Sequence, residues 1–155
     1  MRIDIEDPAT PDITALLERH LADMRSVSPP ESKHALDIES LRAPDITFWA
    51  VRDHDHRLMG CGAIKQLDAA HAEIKSMRTD PQHRRKGVAA ALLTHIISTA
   101  SVRAITRLSL ETGSQRDFLP ARSLYARFGF TSCGPFADYR PDPNSVFMTR
   151  VIERE

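Results

Sequence analysis

The run Gln82-His83-Arg84-Arg85-Lys86-Gly87-Val88-Ala89 places four basic or potentially basic side chains in succession, directly before a glycine. Val88, Leu92, Leu93 and Ile96 follow at helical spacing, which predicts a helix over about residues 86–100. A helix start already carries partial positive charge and unpaired N–H groups, so clustered cations are unfavourable there. They become favourable when an anion lies between them, and a phosphate is the natural candidate. A solvated basic turn would look the same on these eight residues, and both readings stand at this point.

The preceding residues favour the anion. Ala72-Glu73-Ile74-Lys75-Ser76-Met77-Arg78-Thr79 alternates small or apolar residues with polar ones, the period of a half-buried strand. Asp80-Pro81 ends it, because proline cannot extend a paired strand and favours a turn. Strand, turn, basic glycine loop and helix together read as one phosphate-binding unit. It is neither Gly-x-x-x-x-Gly-Lys-Ser/Thr nor Gly-x-Gly-x-x-Gly, which argues against the usual ATP and dinucleotide loops.

These residues resemble the GNAT superfamily of N-acetyltransferases. Arg84-Arg85-Lys86-Gly87-Val88-Ala89 fits that family's Arg/Gln-x-x-Gly-x-Gly/Ala pyrophosphate loop, and Ala121-Arg122-Ser123-Leu124-Tyr125-Ala126-Arg127-Phe128-Gly129-Phe130 resembles its Ala-x-x-Leu-Tyr-x-x-x-Gly-Phe helix. The resemblance spans about residues 1–150 and implies one GNAT-like domain over residues 1–155. The implied fold is α/β: a central, mostly antiparallel mixed sheet with a splayed strand pair, flanked by helices.

The resemblance also implies the chemistry: direct acetyl transfer from acetyl-CoA to a primary amine. Amides and side chains of Arg84, Arg85, Lys86, Gly87, Val88 and Ala89 would hold the pyrophosphate, and the backbone of Met77 and Thr79 would pair with the pantetheine arm. Tyr125 is the implied general acid beside the departing sulfur. A phenol of pKa about 10 can protonate a thiolate whose conjugate acid has pKa about 8.5. An alkylamine of pKa about 10.4 is neutral in roughly one molecule in 2,500 at pH 7, a cost of about 4–5 kcal/mol that a carboxylate acting through water can offset. Glu73 is the implied base, and Glu111 is the runner-up. One position departs from the family pattern: Phe118 stands where relatives carry an asparagine that touches the cofactor arm, with Ser114 and Gln115 nearby as replacements.

The acceptor is a small amine or amino-acid-like molecule on this reading, with a protein lysine or N-terminus as the alternative. The loop of residues 133–142 would line its pocket, with Asp138 or Asp142 attracting an amine and Arg140 a carboxylate, or would simply connect two strands. A non-catalytic acyl-CoA sensor would share the basic loop but would not need Tyr125 or Glu73. Small members of the family often form homodimers, and the resemblance extends that expectation here.

The elements that must position these groups follow from periodicity and turn chemistry. Residues 1–6 read as a strand, and Thr10-Pro11 opens a helix carrying Ile13, Leu16, Leu17, Leu21 and Met24 on one side. Residues 26–44 are polar and proline-punctuated, with a short helix at about 34–41. Strands at 46–52 and 57–67 form a hairpin around Asp53-His54-Asp55-His56. A strand at 105–111, a helix at about 118–128 and two strands within 131–150 complete the order.

Composition fits that picture. Lys plus Arg and Asp plus Glu both total 21, so no overall field favours nucleic acid or an anionic membrane. The first ten residues are acidic and do not read as a secretory signal. The longest apolar run, residues 88–93, is too short to cross a bilayer. Cys61 and Cys133 lack metal-ligand spacing, and reduced thiols in the cytoplasm are expected, with Cys133 as a small buried apolar residue. His54, His56 and His71 are expected in surface turns, and no metal site is expected.

Overall fold

The computed structural model describes residues 1–27 and 38–153. Seven strands form one sheet: β1 (Arg2–Ile5), β2 (Ile46–Arg52), β3 (Leu58–Gln66), β4 (His71–Thr79), β5 (Arg107–Gly113), β6 (Thr131–Cys133) and β7 (Ser145–Val151), in the order β1-β2-β3-β4-β5-β7-β6. Every neighbouring pair is antiparallel except β4 and β5, which run parallel. The helices are α1 (Pro11–Val27), α2 (Ile38–Leu41), α3 (Val88–Val102) and α4 (Leu119–Arg127). This is the mixed, mostly antiparallel sheet with flanking helices that the motifs implied.

Alternation along the strands supplies two apolar faces. Trp49, Ile64, Ile74, Leu108, Leu110 and Met148 join Leu92, Leu93 and Ile96 of α3 in one core. Phe48, Ala50, Cys61 and Ala63 join Ile13 and Leu16 of α1 and Leu41 of α2 in the other. Buried Arg52 of β2 holds Glu6, the residue after β1, at 2.9 Å and Asp12 of α1 at 2.7 Å in ion pairs.

Several boundaries differ from the sequence reading. The expected helix at 34–41 is found over Ile38–Leu41, and residues 34–37 lie outside the described residues. Helix α3 starts two residues later than expected, because Gly87 takes a left-handed conformation (φ 79°) that the helix cannot include. The strand expected from residue 105 starts at Arg107, since Ala104 turns (φ 60°) and Ile105 stays buried with its N–H bonded to Ala100 O at 2.9 Å. Thr10 does not cap α1: its hydroxyl donates to Asp7 O at 2.7 Å. His71 is not in a turn but opens β4, and its Nε2 lies 2.7 Å from Ser109 Oγ. Cys133 is only half-buried at the end of β6.

Candidate active site

Strands β4 and β5 pair from His71↔Arg107 to Ile74↔Leu110 and then part. A β-bulge accompanies the parting. Ser76 and Met77 oppose the single residue Gly62 of β3, with Ser76 at φ 58°. The bulge turns Met77 toward α3, into the space a side chain at residue 62 would need: a Cβ there would lie 2.5 Å from Met77 Sδ and 2.9 Å from Leu92 Cδ2. Gly60 does the same for the first turn of α3, where a Cβ would meet Arg78 O at 2.7 Å and Val88 Cγ1 at 2.9 Å. These two glycines let α3 lie close on β3 and bring its N-terminus to the mouth of the fork.

The loop between fork and helix is anchored at its start and open at its end. Asp80 N–H donates to Met59 O at 2.8 Å, and the Asp80 carboxylate holds Arg19 of α1 at 3.1 Å and His83 Nδ1 at 2.9 Å. Beyond it, Arg84, Arg85 and Lys86 are exposed and make no ion pair among the described residues. Arg85 (φ 65°) and Gly87 (φ 79°) both turn left-handed. No side chain caps α3, its first turn contains no acidic residue, and its first helical bond runs from Ala91 N–H to Gly87 O at 2.9 Å. The amides at Val88 and Ala89 therefore have no intrahelical acceptor. Gly87 has nothing within 4 Å of where a Cβ would stand, so its backbone angle, rather than crowding within the chain, requires glycine.

On the sheet face that also carries Cys61 and Ala63, polar residues gather at the fork. Glu73 is buried (3% exposed) and its Oε2 accepts from the Tyr139 hydroxyl and from Lys75 Nζ at 3.2 Å. Glu111 follows Leu110, the last residue of β5 that pairs with β4, and accepts from Ser145 Oγ at 2.7 Å. Burial is the largest cause lifting the Glu111 carboxyl to about 7; the Ser145 hydrogen bond and Lys75 oppose it, and the charges of Glu73 and Asp142 add to it. Phe147, opposite Glu111 in the β5–β7 ladder, packs edge-on against Phe136 and Tyr139 with centroids 5.9 and 5.5 Å away.

Tyr125 lies on α4, buried in the α3-side core with its ring edge-on to Phe130 at 5.7 Å. Its hydroxyl has no hydrogen-bond partner among the described residues, and burial pushes its pKa well above the usual phenol value. Phe118 packs its ring over Gly113 at the end of β5, in the space the missing Cβ leaves. Of the two nearby candidates for the asparagine's duty, Ser114 Oγ donates to Pro143 O at 2.7 Å and Gln115 Nε2 to Asn144 Oδ1 at 2.9 Å, while Gln115 Oε1 is buried with no hydrogen-bond partner among the described residues.

The structure thus brings Glu73, Glu111 and the backbone of Met77 to one fork and the loop of Arg84 to Ala89 to its mouth. Asp138 and Arg140 stay exposed, while Asp142 accepts from Asn144 N–H at 2.8 Å within its loop. Lys75, Tyr139 and Ser145 were not singled out from sequence. Only strand alternation signalled Lys75, and no spacing rule connects Tyr139 to a carboxylate 66 residues away. Among the described residues no group of three or more metal-ligating side chains occurs, and no helix is long and apolar enough to cross a membrane.

A mixed sheet with one parted parallel pair and a cationic loop feeding a helix defines the class of acyl-CoA N-acyltransferase folds. This chain belongs to the acetyltransferase (GNAT) family, whose model matches residues 13–130. It is 56% identical over 152 residues to the uncharacterized N-acetyltransferase YsnE of Bacillus subtilis, covering 98% of this chain and 100% of that protein. It is 36% identical over 137 residues to the IAA acetyltransferase of Azospirillum brasilense, covering 88% and 86%. Among solved structures, a Klebsiella pneumoniae protein assigned as an acyl-CoA N-acyltransferase superposes with a TM-score of 0.80 at 29% identity over 98% of this chain and 97% of the other. An aminoglycoside 6'-N-acetyltransferase complexed with coenzyme A shares the fold, with a TM-score of 0.71 at 15% identity over 100% and 99%. The protein is an N-acetyltransferase by family.

Proposed function

We propose that the chain transfers the acetyl group of acetyl-CoA directly to a primary amine on a small, amino-acid-like acceptor. The observation that carries this reading is the loop at the fork: three exposed cations that make no ion pair among the described residues, beside helix amides without an intrahelical acceptor. That donor set suits a pyrophosphate, which would be held by Arg84, Arg85, Lys86 and the amides of Gly87, Val88 and Ala89. The unpaired edge of β4 beyond Ile74 offers the backbone of Met77 and Thr79 to an extended amide-bearing arm. Bound there, acetyl-CoA supplies the activated acyl group.

The remaining chemistry falls to side chains of this chain. The carboxylate pair Glu73–Glu111 takes the acceptor's proton, and Glu111, lifted to about 7, is matched to that task near neutral pH. A backbone N–H near Met77 polarises the acyl carbonyl. Tyr125, held neutral by burial, returns a proton to the departing thiolate.

Calorimetric titration of acetyl-CoA into the protein and into Arg84→Ala/Lys86→Ala tests the reading. Each charge-assisted contact contributes about 1.5–3 kcal/mol, so the double variant should bind at least about 100-fold more weakly. An amine panel that includes amino acids and polyamines then reports CoA release. No binding at millimolar acetyl-CoA would overturn the proposal, and binding without turnover on any amine would point to a sensor.

A further inference from the structure

Tyr139 reaches into the fork from the loop between β6 and β7. Its hydroxyl donates to Glu73 Oε2, and Lys75 Nζ lies 3.2 Å from that oxygen and 3.3 Å from the hydroxyl. Glu73, Lys75 and Tyr139 therefore close a triangle of mutual contacts. The Lys75 ammonium also sits 5.7 Å from the centre of the Tyr139 ring. That ring packs edge-on against Phe136 at 5.1 Å and Phe147 at 5.5 Å, and Phe147 neighbours Glu111 across the ladder. An aromatic cluster alone would be served equally by phenylalanine. A phenol in this setting needs a partner for its hydroxyl, and it finds the buried carboxylate.

We propose that Tyr139 is a positioning residue of the transfer reaction: it holds Glu73 against Lys75 and roofs Glu111, so that Glu111 is the carboxylate left to take the acceptor's proton. The inference rests on the transfer reading above. Burial, with Glu73 and Glu111 nearby, keeps the Tyr139 phenol protonated and hence a donor across the working pH range. The groups acting on Glu111 are Glu73 and Lys75 from β4, Ser145 from β7 and Asp142 from the β6–β7 loop, and the charge of Glu111 in turn acts on Tyr139 in that loop. Removing the ring admits water to Glu111 and relieves the largest cause of its raised pKa, while removing only the hydroxyl leaves the roof in place.

The test is a carbon-13 NMR titration of glutamate carboxyls in the full chain, with Glu111→Gln assigning the resonance. Wild type should titrate at about 7 at Glu111. Tyr139→Ala, or Tyr139→Leu should the alanine variant fail to fold, should lower that value by about one pH unit or more. Tyr139→Phe should leave it near the wild-type position while lowering kcat about 10-fold at unchanged KM for acetyl-CoA, using the best amine of the panel. An unmoved Glu111 titration in a folded Ala or Leu variant overturns the roofing, and full kcat in Tyr139→Phe overturns the positioning. If no amine turns over, the transfer reading fails separately, and the titration still decides whether Tyr139 roofs Glu111.

Discussion

Glu73 and Glu111 face the same side of the sheet from the two strands of the fork, and the charge of Glu73 raises the cost of ionising Glu111. The kcat/KM of transfer should therefore fall on the acid side with an apparent pKa of about 7. Glu111→Gln should lose about 10²–10⁴-fold and abolish that limb. A limb left in place in Glu111→Gln would assign it to another group.

The same carboxyl makes stability depend on pH. A folded-state pKa raised from 4.5 to about 7 means the folded protein binds the proton more tightly than the unfolded chain. The contribution is complete below about 4.5 and is lost as pH rises through about 7. After discounting for the solvent-facing part of the group, it amounts to about 2 kcal/mol. Between pH 5 and pH 8, urea denaturation should show wild type losing about that much more stability than Glu111→Gln.

Gly62 and Gly87 serve the basic loop and the start of α3 in different ways, and substitution should separate them. Gly62→Ala forces a Cβ against Met77 and Leu92, so it should destabilise the fold by about 1–3 kcal/mol, read as a lowered denaturation midpoint. Gly87→Ala meets nothing within 4 Å but must hold φ 79°, which costs about 1–2 kcal/mol of local strain. Its main effect should be on acetyl-CoA affinity by calorimetry, because the loop relaxes away from the left-handed geometry.

Tyr125→Phe removes a hydroxyl with no partner among the described residues, so folding stability should change little. The kcat of transfer should fall by about 10²-fold or less, since a thiolate leaves tolerably without protonation. Thermal melts alongside CoA-release assays check both halves. A large fall in melting temperature would assign Tyr125 to packing alone.

Much of this architecture was legible in the residues because it is local. The Arg84-Arg85-Lys86-Gly87 run, the Asp80-Pro81 stop and the spacing of Val88, Leu92 and Ile96 each act within a few residues, where backbone preference and periodicity decide the outcome. Boundaries slipped where a single left-handed residue intervened, as at Gly87 and Ala104. Tertiary structure alone decided what meets across the sheet. Whether Glu73 or Glu111 stands ready to accept a proton depends on desolvation and on neighbours from β7 and its preceding loop, none near in sequence. Likewise, the parting of β4 from β5 depends on register and on a bulge at Ser76, which strand alternation does not display. Local order is written in neighbouring side chains, whereas the charge state of a buried carboxylate is set by every group that the fold brings to it.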